Sequence, residues 1–146
     1  MGAKQDRLLL FDIDCTLLNT GGAGMNAFHS AVEDLYSDKL IGGNPLTLDM
    51  AGSTDSGLVI EIFKSLEIQD SEQERKLFFE AYLSRLNLNL SSSKFAGSLL
   101  PGVEALLEDL SVNSQYHGVY TGLLTGNLEE GANQLRHLAQ LHSLPM

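Results

Sequence analysis

The most constraining feature of this chain is an apolar run that ends abruptly in two carboxylates. Residues 8–11 read Leu-Leu-Leu-Phe, and Asp12, Asp14 and Thr16 follow at alternate positions. Such a run predicts a strand buried on both faces of a parallel sheet. In open α/β sheets, ligands bind beyond the carboxyl ends of such strands. Two acids at that position repel each other and lose hydration, so they favour a bound cation, an anion-transfer function, or both.

The next part of the chain has the apolar periodicity of helices. Apolar side chains recur at helical spacing over residues 23–36, and residues 42–45 (Gly-Gly-Asn-Pro) predict the end of that helix. Thr54 or Asp55 can cap a second helix, whose apolar face continues to about Leu66. These patterns predict helices directly after the first strand.

The remainder of the chain alternates helical and strand patterns. Ser71 and Asn127 each precede a glutamate by three residues, which predicts a capping box at the start of a helix. The predicted elements are a third helix over residues 71–88, a short helix over residues 102–111, a buried strand over residues 119–124 and a final helix from residue 127.

Five short motifs occur in order along the chain. They are Asp12-x-Asp14-x-Thr16, Leu17–Gly22, Gly52-Ser53-Thr54-Asp55, Leu99–Val103 and Leu123–Asn127. Together they resemble the haloacid dehalogenase superfamily of hydrolases, in its phosphoglycolate-phosphatase-like branch. The resemblance runs from about Leu8 to about Ala132. It implies an α/β fold in which an incomplete Rossmann-like core, residues 1–18 and 96–146, carries an inserted all-helical cap, residues 19–95.

The resemblance also implies roles for the two acids of the first motif. Asp12 is expected to be the nucleophile that forms an aspartyl-phosphate. Asp14 is expected to protonate the leaving oxygen and then to activate water. The cofactor implied is Mg²⁺, held by the Asp12 side chain and the Asp14 backbone carbonyl.

A second set of residues is expected to contact a small phosphorylated substrate. The members are Thr16, Thr20, Gly21, Thr54, Asp55, Thr125, Gly126 and Asn127. Thr125 would bond a phosphate oxygen, and the backbone N–H groups that follow it would complete an anion site. Other interpretations stay open: Thr54 and Asp55 equally fit an ordinary helix start, Thr20 and Gly21 fit a hinge, and Asn127 fits a helix cap.

Two parts of the family's machinery are absent from the sequence. Leu135 stands where the family's third motif places a lysine, and Arg136 is one residue, or about 100° of helix, away. After Thr125 the acids are Glu129 and Glu130, which do not follow a strand. The prediction is a Mg²⁺-dependent phosphohydrolase, impaired by these losses, with phosphoglycolate as one candidate substrate. The alternative is a catalytically incomplete, non-enzymatic relative or fragment that binds phosphate or a partner.

Charge and cysteine content narrow the class of partner. The formal net charge of −10 argues against nucleic acid or an anionic membrane as partner. The single cysteine, Cys15, excludes an internal disulfide, and we expect it to be a small, semi-buried, unreactive side chain. The polar N-terminus and short first apolar run predict neither a signal peptide nor a membrane span, so we expect a cytoplasmic protein. Oligomeric state stays open.

Overall fold

The computed structural model describes residues 6–40, 47–49 and 52–138. The elements are, in order, β1 (Arg7–Phe11), β2 (Leu18–Asn19), α1 (Ala23–Tyr36), α2 (Asp55–Ser65), α3 (Glu72–Leu90), β3 (Ser98–Leu99), α4 (Val103–Val112), β4 (Val119–Leu123) and α5 (Glu129–Leu138), with 3-10 turns at Ser37–Lys39 and Ser114–Tyr116. These residues form two groups: one consists of the helices α1–α3, and the other contains the strands together with α4 and α5. The predicted α/β class is confirmed. The predicted break at residues 42–45 lies outside the described residues.

Side-chain caps fix the starts of α2 and α3. The Thr54 hydroxyl accepts a hydrogen bond from the Gly57 backbone N–H at 3.0 Å. The Ser71 hydroxyl accepts from the Glu74 N–H at 3.2 Å. Each hydroxyl satisfies a donor that has no partner within the helix, so both helices begin where the sequence predicts.

An aromatic cluster holds α1, α2 and α3 together. The rings of Phe28 and Tyr82 have centroids 4.1 Å apart, and Phe63 meets Phe78 edge-on at 6.0 Å. The Tyr36 hydroxyl donates to a Glu74 carboxylate oxygen at 2.7 Å, so its polar end is satisfied beside the cluster. These helices therefore contain a buried core of their own.

The sheet of β1 and β4 is parallel and has an exposed face. Its register runs from Arg7 beside Val119 to Phe11 beside Leu123. The predicted burial of both faces is wrong, because Leu8, Leu10 and Tyr120 are 62, 50 and 60% exposed. Side chains alternate along a strand, and on the other face the apolar cluster of α4 and α5 packs against Phe11 and Leu123 at the ends of the strands. No further strand pairs with β1 or β4 within the described residues.

A second, short sheet forms where the chain passes between the strands and the helices α1–α3: β2 precedes α1, and β3 follows α3. β2 and β3 pair antiparallel, with Leu18 beside Leu99 and Asn19 beside Ser98. Gly21 follows at φ +63°, and a Cβ there would lie 3.2 Å from the Ala96 backbone. The chain therefore leaves and re-enters the strand-containing group at one place. None of the described helices is both long and apolar enough to cross a membrane.

Candidate active site

A cavity of about 850 Å³ lies between the carboxyl ends of β1 and β4 and the helices α1–α3. Most of the candidate residues contribute to its wall. Those that line it are Asp12, Asp14, Thr20, Thr54, Asp55, Thr125, Gly126 and Asn127. Thr16 and Gly21 are not among the described residues that line it. Parallel pairing explains the assembly, because it brings the ends of β1 and β4 to one edge of the sheet.

Asp14 is tied to the loop that follows β4. The Asn127 side-chain amide donates a hydrogen bond to the Asp14 carboxylate at 2.8 Å. Burial raises the pKa of Asp14; the bond from Asn127 lowers it, and the charge of Asp12 raises it again. The net direction is upward, which favours a carboxyl group able to hold and release a proton.

Asn127 does not cap the final helix as predicted. α5 begins at Glu129, and the Asn127 side chain is directed to Asp14 instead. The Asn127 backbone N–H donates to the Thr125 hydroxyl at 3.3 Å, which makes a tight turn at the end of β4. The tertiary partner therefore competes successfully with the local cap.

Asp55, on the other side of the cavity, makes two hydrogen bonds to the loop that follows β4. Its carboxylate accepts a hydrogen bond from the Leu128 N–H at 2.8 Å, and its own N–H donates to the Gly126 carbonyl at 2.9 Å. A Cβ on Gly126 would lie 3.0 Å from the Thr54 Cα, so the two backbones approach closely. The amino end of α2 is therefore in direct contact with the loop after β4.

The Asp55 carboxyl is only 4% exposed. Burial raises its pKa to about 6; the Leu128 N–H opposes that rise, and the negative charge of Asp14 adds to it. The carboxylate is already bonded to backbone, so its position is fixed before any substrate arrives.

Cys15 adopts a left-handed backbone conformation beside the two acids. Its φ is +58°, and it is exposed, which corrects the semi-buried environment predicted for it. A residue without a Cβ fits this conformation better. The turn places Cys15 on the wall of the cavity next to Asp14.

Leu135 occupies the wall of the cavity at the position where the resemblance implies a lysine. It is buried and faces the cavity, whereas Arg136 is not among the described residues that line it. The described lining contains three aspartates and no lysine, arginine or histidine. The site therefore has a surplus of negative charge.

The apolar part of the cavity wall was not predicted from the sequence. The large apolar side chains that line the cavity are Met25, Leu58, Tyr82, Leu86, Leu124 and Leu135. Helical periodicity marks Met25 and Leu58 as core residues, but it cannot distinguish a residue packed against protein from one that borders a cavity.

The acidic pair fits a hard divalent cation. Mg²⁺ binds through one or two carboxylates and keeps several waters, and Asp12 and Asp14 offer such oxygens beside one another. Among the described residues, no group of three or more His, Cys, Asp or Glu side chains forms a complete metal cage. Water and substrate oxygens would have to supply the other ligands.

Comparison with solved structures defines the class of fold. CbbY from Rhodobacter sphaeroides, in complex with phosphate, matches with a TM-score of 0.66 and 15% identity over 94% of this chain and 59% of its own. A mutant of the same protein with xylulose-(1,5)bisphosphate gives 0.63 and 18%, over 94% of this chain and 59% of that one. A predicted phosphoglycolate phosphatase from Haemophilus somnus gives 0.61 and 22%, over 99% of this chain and 62% of that one.

These matches show that the chain has the haloacid dehalogenase-type fold. It spans about three fifths of the length of those proteins. No protein-family model matches the sequence, and no curated protein matches it.

Proposed function

We propose that the cavity is the active site of a phosphohydrolase that acts on a small phosphomonoester. The observation that carries the proposal is the placement of Asp12 and Asp14, after β1, opposite the Thr125–Asn127 loop, after β4, in one cavity. The fold of CbbY, which binds phosphate, supports it. We assign residues 1–18 and 96–146 to the core and residues 19–95 to the cap.

The proposed reaction has two steps. A carboxylate oxygen of Asp12 attacks phosphorus, the bond from phosphorus to the leaving oxygen breaks, and Asp14 gives that oxygen a proton. Asp14 then takes a proton from water as the water oxygen attacks phosphorus. The bond from phosphorus to Asp12 breaks, which releases phosphate and restores the Asp12 carboxylate and the protonated Asp14 carboxyl group. The raised pKa of Asp14 suits this exchange.

The residues around the acids hold the phosphate and the metal. The Asp12 carboxylate and the Asp14 backbone carbonyl would bind Mg²⁺, which when bound neutralises phosphate charge. The Thr125 hydroxyl and the backbone N–H groups of Gly126 and Asn127 would contact phosphate oxygens.

The remaining candidates have less direct proposed roles. Thr54 and Asp55 would set substrate preference from the α2 side. Thr16, Thr20 and Gly21 would shape the entry to the site. The single cysteine suits a reducing, cytoplasmic location.

Leu135 favours a second candidate function. The described lining has no cationic side chain to stabilise the negative charge that develops on the phosphate in the transition state. Losing one such group commonly lowers the rate by roughly 10²–10³-fold. The second candidate is a phosphate- or partner-binding protein without turnover.

One experiment separates the two candidates. Hydrolysis of p-nitrophenyl phosphate is measured with Mg²⁺ and with chelator for the natural chain, Asp12→Asn, Leu135→Lys and, as an exposed control on α2, Glu61→Gln. We expect slow, Mg²⁺-dependent hydrolysis that Asp12→Asn abolishes and Glu61→Gln leaves unchanged. Leu135→Lys should raise the rate by roughly 10²-fold.

An active Asp12→Asn protein, or equal rates in chelator, would contradict the nucleophile assignment. Phosphate binding without turnover in either the natural chain or Leu135→Lys would favour the binding protein.

A further inference from the structure

We infer that the cavity selects a phosphomonoester whose alcohol is uncharged and largely apolar, rather than one that carries a carboxylate. The inference rests on the proposed function for the phosphate half of the ligand. It rests on the wall contributed by α1–α3 for the alcohol half.

The wall has different chemistry on its two sides. The strand ends supply Asp12, Asp14 and the Thr125–Asn127 loop, whereas α1, α2 and α3 supply Met25, Leu58, Tyr82 and Leu86. A phosphate held at the strand ends would therefore direct its alcohol toward apolar side chains. Burying apolar surface of the alcohol there is favourable.

The polar residues on the helical side of the cavity do not offset the apolar character of that wall. Ser53, Thr54 and Asp55 lie at the amino end of α2, and the Asp55 carboxylate is bonded to the Leu128 N–H. Tyr82 remains a neutral phenol at ordinary pH, because burial and the charges of Asp55 and Asp14 raise its pKa.

Charge excludes a second anionic group more strongly than size does. The carboxylate of phosphoglycolate would enter a cavity whose described lining has three aspartates and no cationic side chain. A desolvated carboxylate without a partner is costly, and nearby negative charge adds to that cost. A neutral alcohol meets neither penalty, and the cavity of about 850 Å³ has room for an aromatic or branched one.

The test compares two non-hydrolysable phosphonates in the presence of Mg²⁺. Benzylphosphonate represents an apolar ester, and 3-phosphonopropionate has the shape and charge of phosphoglycolate. Dissociation constants are measured on the full chain by calorimetry. We expect benzylphosphonate to bind about tenfold or more tightly. Equal affinity, or tighter binding of 3-phosphonopropionate, would overturn the inference and leave the phosphatase proposal intact.

A pair of matched variants assigns the preference to the wall. Met25, on the cavity, and Leu106, away from it on α4, are both 46% exposed, so a lysine at either position remains hydrated. Met25→Lys should reduce the benzylphosphonate preference to within about threefold or reverse it, whereas Leu106→Lys should keep it. An unchanged preference in Met25→Lys would refute the role of this wall.

Failure of the phosphate site gives a different result. If neither phosphonate binds, the proposed function is wrong, and two alcohols without a phosphonate group, benzyl alcohol and glycolate, test the helical wall. Benzyl alcohol should shift the NMR signal of the Met25 methyl group, and glycolate should not. No shift with benzyl alcohol, or a shift with glycolate, would overturn the inference as well.

Discussion

The helices α1–α3 bury their apolar side chains far more completely than the sheet of β1 and β4 does. Phe28, Phe63 and Phe78 are fully buried among the helices, whereas Leu8 and Tyr120 are largely exposed on the sheet. A helix satisfies its backbone hydrogen bonds internally and needs a neighbour on one side only. A parallel sheet needs cover on both faces. The same chain thus completes one core and leaves the other open.

The largest expected effect of a substitution is in the helical cluster. Phe78→Ala should lower the free energy of unfolding by about 3–5 kcal/mol, because it leaves a cavity among aromatic rings. Leu10→Ala, on the exposed sheet face, should cost about 1 kcal/mol or less. Urea unfolding followed by circular dichroism measures both.

If Phe78→Ala and Leu10→Ala lowered the free energy of unfolding by similar amounts, the contrast between the helical cluster and the sheet would be wrong. They would mean that the face of Leu8, Leu10 and Tyr120 is covered in solution. Repeating the Leu10→Ala measurement over a range of protein concentrations would then show whether self-association provides that cover.

A smaller effect is expected where the two regions meet. Gly126→Ala should cost about 1–3 kcal/mol, because the new Cβ would lie 3.0 Å from the Thr54 Cα and 3.2 Å from the Ser53 carbonyl. Amide exchange at Leu128 should also become faster as the contact loosens.

Gly24→Ala is the control for that substitution. A Cβ on Gly24 meets nothing within 4 Å, and Gly24 is the second residue of α1, so alanine should stabilise by about 0.5 kcal/mol or less. Equal effects at Gly24 and Gly126 would mean that the closed contact between α2 and the loop after β4 does not persist in solution.

A further effect depends on pH. The pKa of Asp55 is raised to about 6 from 3.8, so the folded chain holds this proton more tightly than the unfolded chain. Its contribution to stability is fully present below pH 3.8 and is lost as pH rises through about 6. Asp55→Asn should remove about 3 kcal/mol of that decline, measured as the free energy of unfolding against pH.

The residual decline in Asp55→Asn should come from Asp14, whose pKa is also raised. Glu61→Gln, on the exposed side of the same helix, should keep the full decline. If Asp55→Asn lost as much stability as the natural chain does between pH 4 and pH 6, the burial of Asp55 would be contradicted. Added Mg²⁺ should reduce the decline if it binds near these carboxylates.

Local sequence signals predicted the elements well and the environment of the sheet poorly. The 3.6-residue period and the caps at Thr54 and Ser71 depend on neighbours along the chain, so they placed α1, α2 and α3 closely. The burial of Leu8 and Leu10 depends on whether another part of the chain packs on their face of the sheet, and the local sequence pattern does not contain that information. Asn127 fitted a helix cap locally, but Asp14, far away in sequence, is its partner.

The sequence alone determined which residues could form a site: a strand that ends in Asp12 and Asp14, and a second strand that ends in Thr125. Tertiary structure decided the rest. It paired β1 with β4 in parallel, which brought those ends together, and it closed Asp55 onto the Leu128 N–H. It also turned Leu135 into the cavity and lined the helical side with apolar groups. Residue chemistry is carried locally, whereas burial, cavity walls and pKa shifts arise only from groups distant in sequence that packing brings within a few ångströms.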